Sequence, residues 1–137
     1  MASRLNPYLS FKDTARAAME FYKSVFGGEL TVSTFGDYGM PVEPAEKDKV
    51  MHAQLITATG FWLMGADTPG HMAYTPGTNF SVSLSGDDDA ELRGWWDGLS
   101  AGATITQPLE MAPWGDSFGM LTDKFGVAWL VNITGKK

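Results

Sequence analysis

The chain of 137 residues contains no cysteine and only two histidines, His52 and His71. The absence of cysteine excludes disulfide bonds, thiolate nucleophiles and cysteine-ligated zinc sites, although it favours no cellular compartment. Basic residues are also few: 10 lysines and arginines stand against 16 aspartates and glutamates, which gives a net charge of −6. The basic residues form no cluster that could follow nucleic-acid phosphates, so we expect no nucleic-acid partner.

Long hydrophobic runs are missing as well. No segment approaches the roughly 18 consecutive apolar residues that a membrane helix needs. The first residues, MASRLNPYLSF, hold no apolar run of signal-peptide length. We therefore expect no membrane partner and a cytoplasmic location. An acidic chain attracts cationic ligands more readily than anionic ones, but its charge can also serve solubility alone.

Hydrophobic material is plentiful, at 44% of the residues, and includes five tryptophans and eight phenylalanines. The length suits one domain, or two small modules around a shared core. The pattern predicts one domain over 1–137, made of a first β-α-β-β-β module (1–66), a linker (67–77) and a second such module (78–137). The linker is predicted from its two prolines and two glycines.

In the first module, a helix after residue 12 is predicted by an apolar stripe at helical spacing, with Asp13 or Thr14 as its cap and Gly27-Gly28 as its end. The stripe consists of Ala18, Phe21, Tyr22, Val25 and Phe26. Strands are predicted over Leu5–Phe11, Glu29–Phe35, Lys49–Thr57 and Phe61–Ala66, with a loop over Gly36–Asp48.

The second module repeats this order. Its helix is predicted to begin at Asp87-Asp88-Asp89, where carboxylates cap amides and stabilise the positive end of the helix. The apolar stripe of that helix is Leu92, Trp95, Trp96 and Leu99. Strands are predicted over Asn79–Leu84 and Thr104–Thr106, with a loop over Gln107–Pro113 and a closing hairpin within Trp114–Asn132.

The closing hairpin carries the most specific motif of the chain, WGDSFGMLTDKFGVAW. With NPYL near the N-terminus, AAMEFYKSVFGG in the first helix, MHA at residue 51 and NFS at residue 79, it resembles the glyoxalase/bleomycin-resistance/dioxygenase (vicinal oxygen chelate) superfamily, PhnB-like branch. The resemblance implies an α+β fold in which the two modules form a curved mixed sheet with an internal cleft. It also implies a homodimer.

Enzymes of this superfamily hold a divalent metal with His, Gln or Glu side chains from four strands. The resemblance places those positions at Asn6, at Met64 with Leu63 as its neighbour, at Asn79, and at Leu130. Two amides and two apolar side chains do not form a site for a divalent cation, which needs several nitrogen or oxygen ligands. We therefore expect no metal and no other cofactor.

Two candidates for proton chemistry remain, His52 and Asp116. His52 shares a strand face with Gln54, and Asp116 stands in the closing hairpin. His71 lies in the linker and is expected to be solvated. No nucleophilic triad, GxGxxG sequence or phosphate-binding loop is present.

A mostly aromatic cleft with a few polar groups suits a small, partly aromatic ligand. The expected ligand-binding residues are Tyr8, His52, Gln54, Trp62, Asn79, Ser81, Trp114, Asp116, Phe118 and Trp129. We expect loop residues Tyr38, Met40, Met72 and Tyr74 to form the rims.

The predicted function is metal-independent binding of a small molecule, with sequestration of a cationic or aromatic compound as its specific form. The first alternative is a metal-dependent lyase, isomerase or dioxygenase, which would need His52 together with ligands such as Gln54 and Asp116. The second alternative is a metal-free enzyme with His52 or Asp116 as its base. An accessory dimer that binds no small ligand is the third.

Overall fold

The structure is a computed structural model that describes residues 3–135. It divides into two compact units, between Pro76 and Gly77. The first unit contains β1 (Tyr8–Phe11), α1 (Ala15–Phe26), β2 (Glu29–Thr34), β3 (Val50–Ile56) and β4 (Trp62–Asp67). The second contains β5 (Val82–Gly86), α2 (Asp89–Leu99), β6 (Thr104–Met111), β7 (Ser117–Thr122) and β8 (Ala128–Ile133). Residues 1–2 of the first predicted module and residues 136–137 of the second lie outside the described part.

Each unit forms one four-stranded mixed sheet. The strand orders are β1-β4-β3-β2 and β5-β8-β7-β6. In both sheets the first strand pairs in parallel with the last, and the remaining pairs are antiparallel. The predicted α+β fold of two β-α-β-β-β modules is therefore confirmed, and the shared order supports an internal duplication.

The hairpin turns of the two units are also alike. In Thr57–Phe61 and in Asp123–Val127, the first residue donates its backbone N–H to the carbonyl of the last, at 3.0 and 2.8 Å. The fourth residue of each turn, Gly60 or Gly126, has a φ of +91° or +90°, a conformation that favours glycine. Equivalent turns at equivalent positions extend the correspondence to single residues.

Helix α1 packs on the first sheet, but its buried face is turned relative to the predicted stripe. The fully buried residues are Ala15, Ala18, Met19 and Tyr22. Its predicted side-chain cap is not formed by Thr14, and the carboxylate of Asp13 pairs with Lys49 instead. Asp67 at the end of β4 takes over this role: one carboxylate oxygen accepts from the N–H of Ala15 at 3.0 Å, and the other accepts from Val50 at 3.0 Å.

Helix α2 follows the prediction closely. Asp88 is its N-cap and accepts from the backbone N–H of Glu91 at 3.0 Å, which satisfies an amide that the helix leaves unpaired. The buried face is the predicted stripe of Leu92, Trp95, Trp96 and Leu99. In the range 3–135, no helix is long and apolar enough to span a bilayer.

Each sheet has one face against its helix, here called the helix face, and an opposite open face. Gly65 and Gly119 mark the helix faces, because a Cβ at these positions would meet Met19 at 3.3 Å and Trp96 at 2.7 Å. Since side chains alternate along a strand, these two glycines set the face of every neighbouring residue. Buried apolar residues such as Leu55 and Val131 lie on the helix faces.

Three predicted boundaries are wrong. The first strand begins at Tyr8 instead of Leu5. Asn79 and its neighbours up to Ser81 precede β5, which begins at Val82. The predicted loop from Gln107 to Pro113 is mostly strand, because β6 continues to Met111. Two register shifts and a position at the sheet edge allow this strand to contain a proline.

Candidate functional site

The open face of the first sheet brings together four of the predicted ligand-binding residues. Tyr8 on β1 pairs with Met64 on β4, and Met64 pairs with Gln54 on β3. By alternation, His52 and Trp62 share this face with them. His52, Gln54, Trp62 and Met64 are half-buried, and Tyr8 is 49% exposed. The side chains are therefore available to a molecule that lies on the sheet.

Tyr8 and His52 are hydrogen-bonded across this face. The Tyr8 Oη lies 3.0 Å from the His52 Nδ1, and the two rings are 5.7 Å apart at a tilt of 35°. Strand β4 lies between β1 and β3, so the bond bridges two strands that are not neighbours. Partial burial raises the pKa of Tyr8 above its ordinary value.

An arginine adds charge to the same face. The guanidinium carbon of Arg4 lies 4.3 Å from the centre of the Trp62 ring, within the range of a cation–π contact. Among residues 3–135, no carboxylate forms an ion pair with Arg4. The sequence analysis missed this residue, since an isolated arginine before a strand carries no periodic signal.

A depression of about 1030 Å³ lies at the end of the first sheet. Ser10 and Ala66 connect it to the open face, and the loops expected as rims supply Met40 and Met72. Glu46 holds these loops together, because its carboxylate accepts from the backbone N–H of Gly70 at 2.7 Å. The predicted rim residues Tyr38 and Tyr74 do not line this depression, whereas His71 does.

The second unit has a smaller depression, of about 310 Å³, on its open face. The ring of Trp114, 62% exposed, meets Phe118 edge-on at 5.7 Å. Met120 and Glu110 complete the wall, and no lysine or arginine of the described residues 3–135 lines it. Sequence analysis missed Glu110 because it lies in the segment predicted as a loop, where strand alternation was not applied.

Asp116 is engaged in holding the chain together. One carboxylate oxygen accepts from the side-chain amide of Asn132 at 3.0 Å, and the other accepts from the backbone N–H of Gly135 at 2.9 Å. Both oxygens therefore have donors within the second unit. This geometry favours a structural part for Asp116 and leaves His52 as the candidate for proton chemistry.

The placement of Trp129 corrects the expected face. Trp129 lies on the helix face of the second sheet and is 1% exposed. Its indole N–H donates to the buried carboxylate of Asp123 at 2.9 Å. Because Trp129 pairs with Leu121 on the helix face, it does not lie on the open face with Phe118. Asn79 and Ser81 are exposed residues ahead of β5.

The positions that the resemblance assigns to metal ligands do not suit a divalent cation. Met64 and Leu130 face the open sides of their sheets, so a thioether and a hydrocarbon stand where nitrogen or oxygen donors are needed. Leu63, the neighbour considered for Met64, is buried on the helix face. Within residues 3–135, no three side chains of His, Asp or Glu converge to form a metal-binding group.

Comparison with known proteins places these features in a family. The sequence profile of the family described as 3-demethylubiquinone-9 3-methyltransferase matches residues 3–132. Protein PA1353 from Pseudomonas aeruginosa is 37% identical in sequence and has a TM-score of 0.86, over 98% of this chain and 100% of that protein. A PhnB protein from Bacillus cereus is 26% identical with a TM-score of 0.76, over 96% of this chain and 100% of its own.

A more distant structure supports the fold alone. The glyoxalase/bleomycin resistance protein/dioxygenase domain from Frankia is 16% identical with a TM-score of 0.65, over 99% of both chains. Such a likeness does not transfer a function.

Proposed function

The chain belongs to the PhnB-like family of the vicinal oxygen chelate superfamily, and from that premise we propose that it binds a small, partly aromatic molecule without a resident metal ion. The observation that carries the proposal is the open face of the first sheet, where Tyr8 and His52 are hydrogen-bonded on the same face as Trp62. Aromatic surface supplies contact area, and the few polar groups fix the orientation of a ligand.

The second unit supports the cationic form of this proposal. Trp114 and Phe118 offer aromatic surface beside the carboxylate of Glu110, and among residues 3–135 no basic side chain lines the depression. Aromatic faces attract cations, and a carboxylate strengthens that attraction. The net charge of −6 acts in the same direction over longer distances.

Thermal shift with a panel of aromatic amines and aromatic acids tests the proposal. We expect at least one class to raise the melting temperature, since a ligand of the native state stabilises it by mass action. Trp62→Ala should weaken ligands of the first unit, and Trp114→Ala should weaken ligands of the second. Phe61→Ala removes an exposed aromatic ring in the β3–β4 turn and is the matched control. If no compound shifts the melting temperature, an accessory protein without a small ligand is favoured.

Metal independence has its own test. Titration calorimetry with Ni²⁺, Zn²⁺ and Mn²⁺ should give no stoichiometric site, because the assigned positions hold Met64 and Leu130. A stoichiometric site of sub-micromolar affinity would favour the metal-dependent lyase, isomerase or dioxygenase instead.

A metal-free enzyme is the second candidate, and the Tyr8–His52 bond favours it. A half-buried imidazole held by a phenol is within reach of a ligand on the same face, as a general base has to be. Any bound compound should then be converted on incubation, and His52→Gln should stop conversion while binding persists. Binding without conversion by the native protein contradicts this candidate.

We also propose that the protein is a homodimer, because it exposes large apolar side chains. Leu5 in the first unit is fully exposed at 101%, and Phe80 in the second unit is 64% exposed. Exposed apolar surface of this kind is what a second copy of the chain would cover. Light scattering after size exclusion should give twice the chain mass of 14.9 kDa. A single-chain mass at high protein concentration rejects the dimer.

A further inference from the structure

The hydrogen bond between Tyr8 and His52 decides which imidazole nitrogen faces a ligand. A neutral imidazole carries its proton on one nitrogen and accepts through the other. The bond uses Nδ1, and no side chain or backbone group of residues 3–135 forms a hydrogen bond with Nε2. Either the phenol donates to Nδ1 and Nε2 carries the proton, or Nδ1–H donates to the phenol and Nε2 is a bare acceptor.

Chemistry favours the first arrangement. A phenol is a good donor, and its oxygen is a poor acceptor because a lone pair is delocalised into the ring. The unprotonated imidazole nitrogen is a strong acceptor. The second hydrogen-bonding partner of an imidazole is what commonly fixes its tautomer.

We propose that Tyr8 is a positioning residue that holds His52 with its proton on Nε2, so that the open face of the first sheet selects ligands bearing an acceptor oxygen, a carboxylate above all. The selection of a ligand rests on the proposed binding function. Arg4 adds a second group that can only donate, and it lies on Trp62, where an aromatic ligand would stack. A positive charge on the same face as an N–H donor favours an anionic oxygen over a neutral one.

The tautomer is tested without any ligand. Long-range ¹H–¹⁵N spectra separate a protonated from an unprotonated ring nitrogen, and the chain has only two histidines. His71→Asn removes the other imidazole and completes the assignment. We expect Nε2–H at His52 in the native protein and a mixture of tautomers in Tyr8→Phe, while Tyr38→Phe, at an exposed loop tyrosine, leaves the spectrum unchanged. An Nδ1–H tautomer, or no change in Tyr8→Phe, overturns the proposal.

Three probes of similar shape test the selection: benzoate, benzamide and benzylammonium. Each is titrated while the His52 ring signals are followed, which reports on this face alone. Benzoate should bind tightest, benzamide more weakly, and benzylammonium should leave His52 unperturbed. The variants at position 52 lack these signals, so their titrations are followed at the indole N–H of Trp62 on the same face. His52→Leu should weaken benzoate about tenfold or more, since a hydrogen bond to a charged group is lost, and His52→Gln should retain part of the affinity through its amide N–H.

Two results would overturn the selection: benzylammonium shifting His52 with an affinity equal to that of benzoate, or unchanged benzoate affinity in His52→Leu. If none of the probes binds at millimolar concentration, the proposed binding function fails at this face. The spectra of the free protein still decide the tautomer, so the two failures are distinguishable.

Discussion

Replacement of Asp123 by asparagine should destabilise the protein by an amount that depends on Trp129. The carboxylate is 4% exposed. One oxygen accepts from the backbone N–H groups of Phe125 and Val127 at 2.8 and 3.0 Å, and the other accepts from the indole N–H at 2.9 Å. The amide oxygen of asparagine can accept the two backbone bonds, but its NH₂ group then points at the indole N–H of Trp129, so two donors face each other.

The magnitude follows from the bond that is lost. A hydrogen bond to a charged group contributes about 1.5–3 kcal/mol, and a buried donor left without an acceptor adds about 1–3 kcal/mol. We therefore expect Asp123→Asn to lower the free energy of unfolding by about 3 kcal/mol. In a Trp129→Phe background the opposing N–H is gone, so the same substitution should cost about 1 kcal/mol, the value of a weakened turn.

Urea denaturation of the four proteins, followed by circular dichroism, measures this double-mutant cycle. Circular dichroism is preferred to fluorescence because one variant removes a tryptophan. A coupling energy of about 2 kcal/mol between the two positions is expected. An equal cost of Asp123→Asn in both backgrounds would show that the indole bond does not stabilise the fold, and the structural account of Trp129 would be refuted.

Three further predictions concern the fold. Asp67→Ala leaves two buried backbone N–H groups without acceptors and should cost about 3 kcal/mol in urea denaturation; a loss below about 1 kcal/mol would contradict its part as a cap. Gly119→Ala should be strongly destabilising because the new Cβ would meet Trp96. Gly94 occupies an open helical position, so Gly94→Ala should stabilise the protein by up to about 1 kcal/mol. Equal effects of the two substitutions would contradict the close packing at Gly119. The hydrogen bond from Lys49 lowers the pKa of Asp13, so this ion pair stabilises the protein above pH about 4, and the stabilisation is lost as pH falls through the lowered pKa. Asp13→Asn should therefore make the urea midpoint fall less steeply with decreasing pH. An unchanged fall of the midpoint would contradict this.

Local sequence signals predicted the elements whose stabilisation is also local. The stripe of α2 and its capping aspartates are read from neighbouring positions on one helix. The turn at Gly60, between the predicted strands Lys49–Thr57 and Phe61–Ala66, is likewise set by neighbouring residues. The buried face of helix α1 is turned relative to the predicted stripe, because its contacts with the sheet, through Met19 and Tyr22, are set by tertiary packing.

Features that depend on distant partners were not predictable in this way. Asp67 was placed in a linker, but its carboxylate is a cap for a helix that lies 52 positions earlier in the chain. Pro108 lies in the segment that was predicted to be a loop, yet an edge strand with shifted register accommodates it. The face of Trp129 could not be carried across the hairpin from Phe118, since a turn resets the phase of alternation and an error of one residue reverses every side chain.

The two faces of each sheet are under different physical demands. Residues on the helix faces are constrained by close packing: Gly65 and Gly119 leave no room for a larger side chain. Residues on the open faces meet no such demand, so a duplicated unit can change them without losing its fold. In the first unit the open face carries polar side chains such as Tyr8, His52 and Gln54, and in the second it carries an aromatic wall with Glu110. Divergence of the open faces on a shared framework therefore allows one fold to carry two chemically different surfaces.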